Sequence, residues 1–177
     1  MLLPSQSMYI FSCFVSAVGL ALVVVGVTTP VWTYAEITKD NKTTKYSQGL
    51  WQSCEDGVCQ TITKTGPATM MSCKVLSLIS AVCALLCFTL LMIHLVKQIC
   101  KIPSPQCYFA LAMVAGGCSA VFIIISVCIW RAEYFDEEDN IYVGYSLILP
   151  IVGGILVGLS GGAGAFSSRN YTAPRIK

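Results

Sequence analysis

Charge is what this chain has least of. Asp, Glu, Lys and Arg together make up 11% of its 177 residues, against about 25% in a typical soluble domain. With 55% of the chain hydrophobic, that excludes an ordinary soluble domain and points to a membrane protein, in line with a mean hydropathy of +0.72. The net charge of +2 is too slight to call for nucleic acid or an acidic partner. Histidine is nearly absent as well. His94 is the single one, so a metal site or a serine triad would have to be built around a residue at the lipid boundary. Neither a catalytic role nor a cofactor is expected. The N-terminal apolar run lacks the basic flank and the small-x-small cleavage site of a leader peptide, and is therefore read as a span.

Four long apolar runs are present, at about 8–29, 70–96, 108–130 and 142–166. At ~1.5 Å per residue each is long enough to cross a ~30 Å hydrocarbon core. They leave two loops on one side of the membrane, 30–69 and 131–141, and room for no separate soluble domain, so residues 1–177 are read as one unit. Lys74 and His94, near opposite ends of the second run, are expected to reach the interface by snorkelling. An enzyme, pump or pore needs ionisable or polar groups deep in its spans. These runs offer almost none.

The polar stretch from Trp32 through Gly49-Leu50-Trp51 to Cys54 and Cys59 is where aromatics, a glycine and a cysteine pair meet. Thr, Val, Ile, Tyr and Trp dominate Trp32–Thr38, and Asp40-Asn41 interrupts them as a turn signal, so the loop reads as a small antiparallel sheet standing on the bilayer. Asp56-Gly57 is a favoured two-residue turn. If it closes, Cys54 faces Cys59 as a non-hydrogen-bonded pair about 4.5 Å apart, near the lower edge of the disulfide range. The alternative is two free thiols. A bridge would fix the register of the hairpin and wants an oxidising compartment.

Small side chains recur at four-residue spacing in the third run, at Ala112, Gly116 and Ala120, and in the fourth, at Gly154, Gly158 and Gly162. Such ridges let helices approach closely where lipid supplies no hydrophobic drive; they serve packing within the bundle or, alternatively, dimer formation. Pro150 either kinks the fourth run or has its missing bond covered by neighbours. The second loop is acidic, with Glu133, Asp136, Glu137, Glu138 and Asp139. It reads as a solvated loop, with calcium binding as the alternative. Cys100 and Cys107 flank the connection between the second and third runs and are candidates for S-acylation, or are idle thiols. Asn41-Lys42-Thr43 is an acceptor pattern for an N-linked glycan. The positive-inside count is nearly a tie; the bridge and Asn41 decide for an exterior first loop, with both termini cytoplasmic.

Trp32, then Gly49-Leu50-Trp51, then Cys54 and Cys59, in the first loop of a four-span chain, resemble the W-GLW-C-C signature of the claudin superfamily. Pro30-Val31-Trp32 resembles claudins proper. The short Cys54 to Cys59 spacing is more similar to the lens fibre, epithelial membrane and peripheral myelin proteins. The tail ends Arg175-Ile176-Lys177 rather than in the Tyr-Val by which many claudins dock PDZ scaffolds, and the second run has no early Arg. The resemblance implies a left-handed four-transmembrane-helix bundle topped by a small extracellular antiparallel β-sheet from the first loop. In it Leu50 and Trp51 would dip toward the outer leaflet, or Trp51 would fill the sheet's own core. The function implied is a plasma-membrane protein of tight junctions or adhesive cell contacts, self-associating or joining other claudin-like proteins in cis and in trans. A regulatory subunit of a channel or receptor, or an epithelial or myelin membrane organiser, is the alternative.

Overall fold

The computed structural model describes residues 4–39, 42–62, 68–100, 102, 107–134 and 141–172, with backbone alone at 4–6, 37, 39, 42, 134 and 164–172. Four long helices are formed, α1 (Pro4–Thr28), α2 (Ala68–Ile99), α3 (Cys107–Tyr134) and α4 (Tyr145–Thr172). Each contains a stretch long and apolar enough to cross a membrane: Ser7–Thr28, Ala68–Ile99, Cys107–Glu133 and Tyr145–Ala163. A helix satisfies its own backbone in lipid, where no water is available to do so.

Along much of the bundle, small and hydroxyl side chains lie inside and large apolar ones outside. Phe11, Phe14, Val82, Leu85 and Leu159 face outward, while Ser16, Ser77, Ser80, Ala84, Cys87, Ala112 and Ser119 are buried. Lipid is as apolar as leucine, so burying large side chains gains little; close backbone approach and interhelical hydrogen bonds bring the spans together. Where α1 crosses α4, a Cβ added at Gly19 would lie 2.8 Å from the Gly153 carbonyl oxygen, and one added at Gly153 would lie 2.6 Å from that of Gly19. Between α3 and α4, a Cβ at Gly116 would lie 2.8 Å from the Val157 carbonyl oxygen, and one at Gly154 would lie 3.3 Å from the Ala120 Cα.

The four-residue ridge drawn on α4 needs one correction. Gly162 opens onto empty space, whereas a Cβ at Gly161 would stand 2.8 Å from the Ala112 carbonyl oxygen. From Gly154, seven residues return to within about 20° of the starting direction and eight overshoot by about 80°. The seam therefore runs 154, 158, 161.

Helices α2 and α3 meet through hydroxyls that the hydropathy of the runs conceals. Ser77 and Ser126 bring their Oγ atoms to 2.9 Å, and Ser126 donates to the Cys73 carbonyl at 3.1 Å. One turn further in, Ser80 donates to the Ser119 carbonyl at 2.8 Å. At the far end His94 is buried, its ring centroid 4.0 Å from that of Phe109 and 5.0 Å from that of Tyr9. The snorkelling expected of it does not occur, because its ring is enclosed by aromatic neighbours from α1 and α3. Lys97 lies over Tyr108, 4.7 Å from the ring centroid.

A five-stranded antiparallel sheet caps the other end. Strands β1 (Thr33–Lys39), β2 (Lys42–Gln48), β3 (Gln52–Glu55) and β4 (Val58–Thr61) follow one another, and β5 (Ile141–Val143) joins beside β1, giving the order β4-β3-β2-β1-β5. The fifth strand corrects two expectations. The second loop contributes to the sheet, and α4 begins at Tyr145 rather than 142. Ile-Tyr-Val favours an extended chain, and Gly144 makes the break: its N–H donates to the Trp32 carbonyl at 2.9 Å, and any Cβ there would run into the Val31 backbone.

Replacing Gly153 by Leu should force α1 from α4 and cost about 1–3 kcal/mol, the usual range for overpacking. Gly117→Leu, at a position with nothing within 4 Å of an added Cβ, should be neutral. Unfolding midpoints of the two variants in one detergent check this contrast.

The seat of the sheet as candidate functional site

The last carbonyls of a helix have no partner within it, and in lipid none can come from water. For α1 the problem is sharpened by sequence. The donor that would reach the Gly26 carbonyl belongs to residue 30, which is proline and has no N–H. The Trp32 indole fills the vacancy, donating from Nε1 to Gly26 at 2.8 Å. The Trp51 indole donates to the next carbonyl, Val27, at 3.0 Å. Thr28 and Thr29 turn their hydroxyls back on Val24 and Val25. The two tryptophans flank the β1–β2 hairpin, so the contacts that close the helix also hold the sheet at both its feet.

Leu50 lies between them in a cluster that draws on every helix: Val23 and Val27, Met70 and Cys73, Ile123, Val127 and Trp130, and Leu147. Trp32 meets Trp130 edge-on with ring centroids 5.2 Å apart, and Trp32, Leu50 and Trp130 are each 0% exposed. Leu50 is thus a plug in the mouth of the bundle and does not face lipid as expected. Trp51 is half-buried at the rim, with the Lys74 ammonium 5.5 Å from its ring centroid. Gly49 permits the close approach, since a Cβ there would stand 2.6 Å from the Pro30 Cα and 2.9 Å from the Thr29 carbonyl oxygen. Pro150 sits in α4 without interrupting it, its ring against Gly26 where no Cβ could fit.

Farther from the helices the β3–β4 hairpin turns at Asp56 (φ 47°) and Gly57 (φ 85°). Cys54 pairs with Cys59 in the ladder, and a disulfide joins them with Cα atoms 4.0 Å apart. Asp56 ties this hairpin to β2, its N–H donating to the Lys45 carbonyl at 2.9 Å and its Oδ1 accepting from the Lys45 N–H at 2.8 Å. Tyr34 donates its hydroxyl to Glu36, and the Lys45 ammonium stands 3.4 Å from the same carboxylate oxygen. The tyrosine hydrogen bond, seconded by that of Lys45, holds the Glu36 carboxyl below its usual range. The bond to Glu36 in turn raises both the Tyr34 hydroxyl and the Lys45 ammonium.

Of the other residues singled out in the sequence, Glu133 is exposed near the end of α3, and Cys100 and Cys107 are exposed at the opposite end of the bundle from the sheet. Asn41 and Asp136, Glu137, Glu138 and Asp139 lie outside the described residues. Among the described residues no group of three or more His, Cys, Asp or Glu side chains is placed to hold a metal ion. Gly26, Trp130, Gly144 and Pro150 belong to the seat and were not singled out for it. The clue to Gly144 was its place directly after a β-branched and aromatic triplet.

Four apolar spans with a small antiparallel sheet seated on one end define a claudin-type tetraspan membrane protein. A family model described as the PMP-22/EMP/MP20/Claudin family matches residues 6–163, and the chain belongs to that family. A search of curated proteins gave no match.

Trp32→Phe keeps the ring but strips the Gly26 carbonyl of its donor, and Trp51→Phe does the same to Val27. Each should lower stability in detergent by about 1–3 kcal/mol, the cost of a buried acceptor left unsatisfied, and scanning calorimetry of the variants tests it. The Glu36 strap has its own signature. A carboxyl with a depressed folded-state pKa contributes above the unfolded value and loses that contribution as pH falls through the folded one; for Tyr34 and Lys45, both raised, the loss comes as pH rises through theirs. NMR titration should place the Glu36 midpoint below that of a free glutamate, and Tyr34→Phe should move it up.

Proposed function

We propose that this chain is a cell-contact protein of the plasma membrane. Its sheet is displayed on the exterior, both termini lie in the cytoplasm, copies associate side by side through the spans, and copies in facing membranes meet through their sheets. The supporting observation is the double indole anchor at Gly26 and Val27, which holds the sheet in a fixed orientation to the spans. A surface meant to meet another membrane needs that constancy, because an interface gains affinity when its parts are ordered beforehand. The disulfide supports the exterior placement, since such bonds persist in oxidising compartments. No catalysis is assigned. The serine hydroxyls between α2 and α3 are engaged with each other or with carbonyls.

A second reading, a regulatory subunit beside a channel or receptor, is favoured by Gly117, exposed on α3 with open space around it. There another protein's span could lie close. Co-purification with a channel and altered gating would support it.

When cells expressing a tagged copy are mixed with cells lacking it, the protein should concentrate at borders between two expressing cells and not at mixed borders. Equal signal at both kinds of border would refute association in trans.

A further inference from the structure

The face of the sheet bearing Tyr46, Gln48, Glu55, Val58 and Gln60 encloses a half-open groove of about 570 Å³. Its charged lining side chains are Glu55 and Asp56, both acidic. Tyr46 donates to one oxygen of Glu55 at 2.7 Å and fixes that carboxylate in place.

The groove runs out to β4, which is last in the strand order and has no neighbour on its outer side among the described residues. All four of its residues are exposed, Val58 to 66%. Natural sheets blunt such an edge with lysine, proline or a bulge. Val58-Cys59-Gln60-Thr61 carries none of these, its shortness, at four residues, being its one protection. Because Asp56-Gly57 closes a two-residue turn, Glu55 and Val58 form the bonded pair next to it, and Cys59 and Thr61 turn their backbone N–H and C=O away from β3.

The geometry points to β4 as a docking edge for an extended, basic peptide segment of a partner protein, added as a sixth strand. Main-chain bonds to Cys59 and Thr61 would give affinity, and alternate side chains would fall on the groove face. A residue placed opposite Val58 would stand two strand spacings, about 4.8 Å each, from the Glu55 backbone. A lysine there would lay its methylene stem over Val58 and bring its ammonium to Glu55 and Asp56. The acidic lining selects such a segment and rejects an acidic one.

The test uses the full chain in lipid nanodiscs and a fluorescent blocked peptide, Thr-Val-Lys-Val-Thr, followed by anisotropy, with its Lys-to-Glu counterpart as control. The lysine peptide should bind saturably and the glutamate peptide should not. Glu55→Gln should weaken binding by up to about fivefold, the scale of one exposed charge pair. Thr61→Pro, which removes an outward N–H, should abolish it while the thermal midpoint stays that of the parent chain. The inference is overturned if neither peptide binds, if both bind alike, if Glu55→Gln changes nothing, or if a folded Thr61→Pro still binds. No cell contact enters this assay, so its outcome is independent of the function proposed above.

Discussion

The end of the first span sets the terms for everything above it. A transmembrane helix can stop only where its last carbonyls find donors, and Pro30 denies Gly26 the ordinary one. Two indoles supply what is missing, and both come from the segment that must become the sheet. Span and sheet therefore share hydrogen bonds, and neither is finished without the other. Leu50 is carried into the mouth of the bundle by the same turn of chain, and Gly49 is the residue that lets that turn pass over Pro30.

Packing below the seat follows from the solvent. Water would reward the burial of Phe11 or Leu159, whereas lipid does not, and both face outward. What distinguishes one helix neighbour from another is then how closely backbones can approach and which hydroxyls meet. Gly19 against Gly153 brings α1 to α4, Gly116 and Gly154 bring α3 to α4, and the serine pairs bring α2 to α3. The buried aromatic rings gather instead at the two ends, Trp32 with Trp130 under the sheet and Tyr9, His94 and Phe109 at the other.

Much of this was legible in the chain itself because each signal was local. Span length, the Asp56-Gly57 turn and the facing cysteines depend on residues close in sequence. What escaped depends on pairs far apart in it. Nothing near Gly26 announces that Pro150 will cover it, nothing in Ile141–Val143 says which strand it will join, and Gly161 replaces Gly162 because seven residues, not eight, complete two helical turns. His94 was misread for a related reason. Its position near the end of an apolar run suggested water, and only the arrival of Tyr9 and Phe109 from other helices encloses it. Serine raised no signal either, since a hydroxyl lowers hydropathy only slightly and its value appears when a second one faces it.

The disulfide sits where burial ends. Next to the helices the sheet is held by packing, with Trp32 and Leu50 fully enclosed. At β4 no residue is buried, and among the described residues the strand has one neighbour. An isolated hairpin is marginal in water, and of the two short strands β3 and β4 only β3 is backed by a further one, so the register of β4 is fixed by other means. Closing the short loop from Cys54 to Cys59 restricts the unfolded chain by about 2 kcal/mol in the entropic description, and Asp56 adds two hydrogen bonds to Lys45. Covalent and polar constraints thus take over along the sheet as hydrophobic contact fades, and the strand they hold in register is the last in the sheet among the described residues.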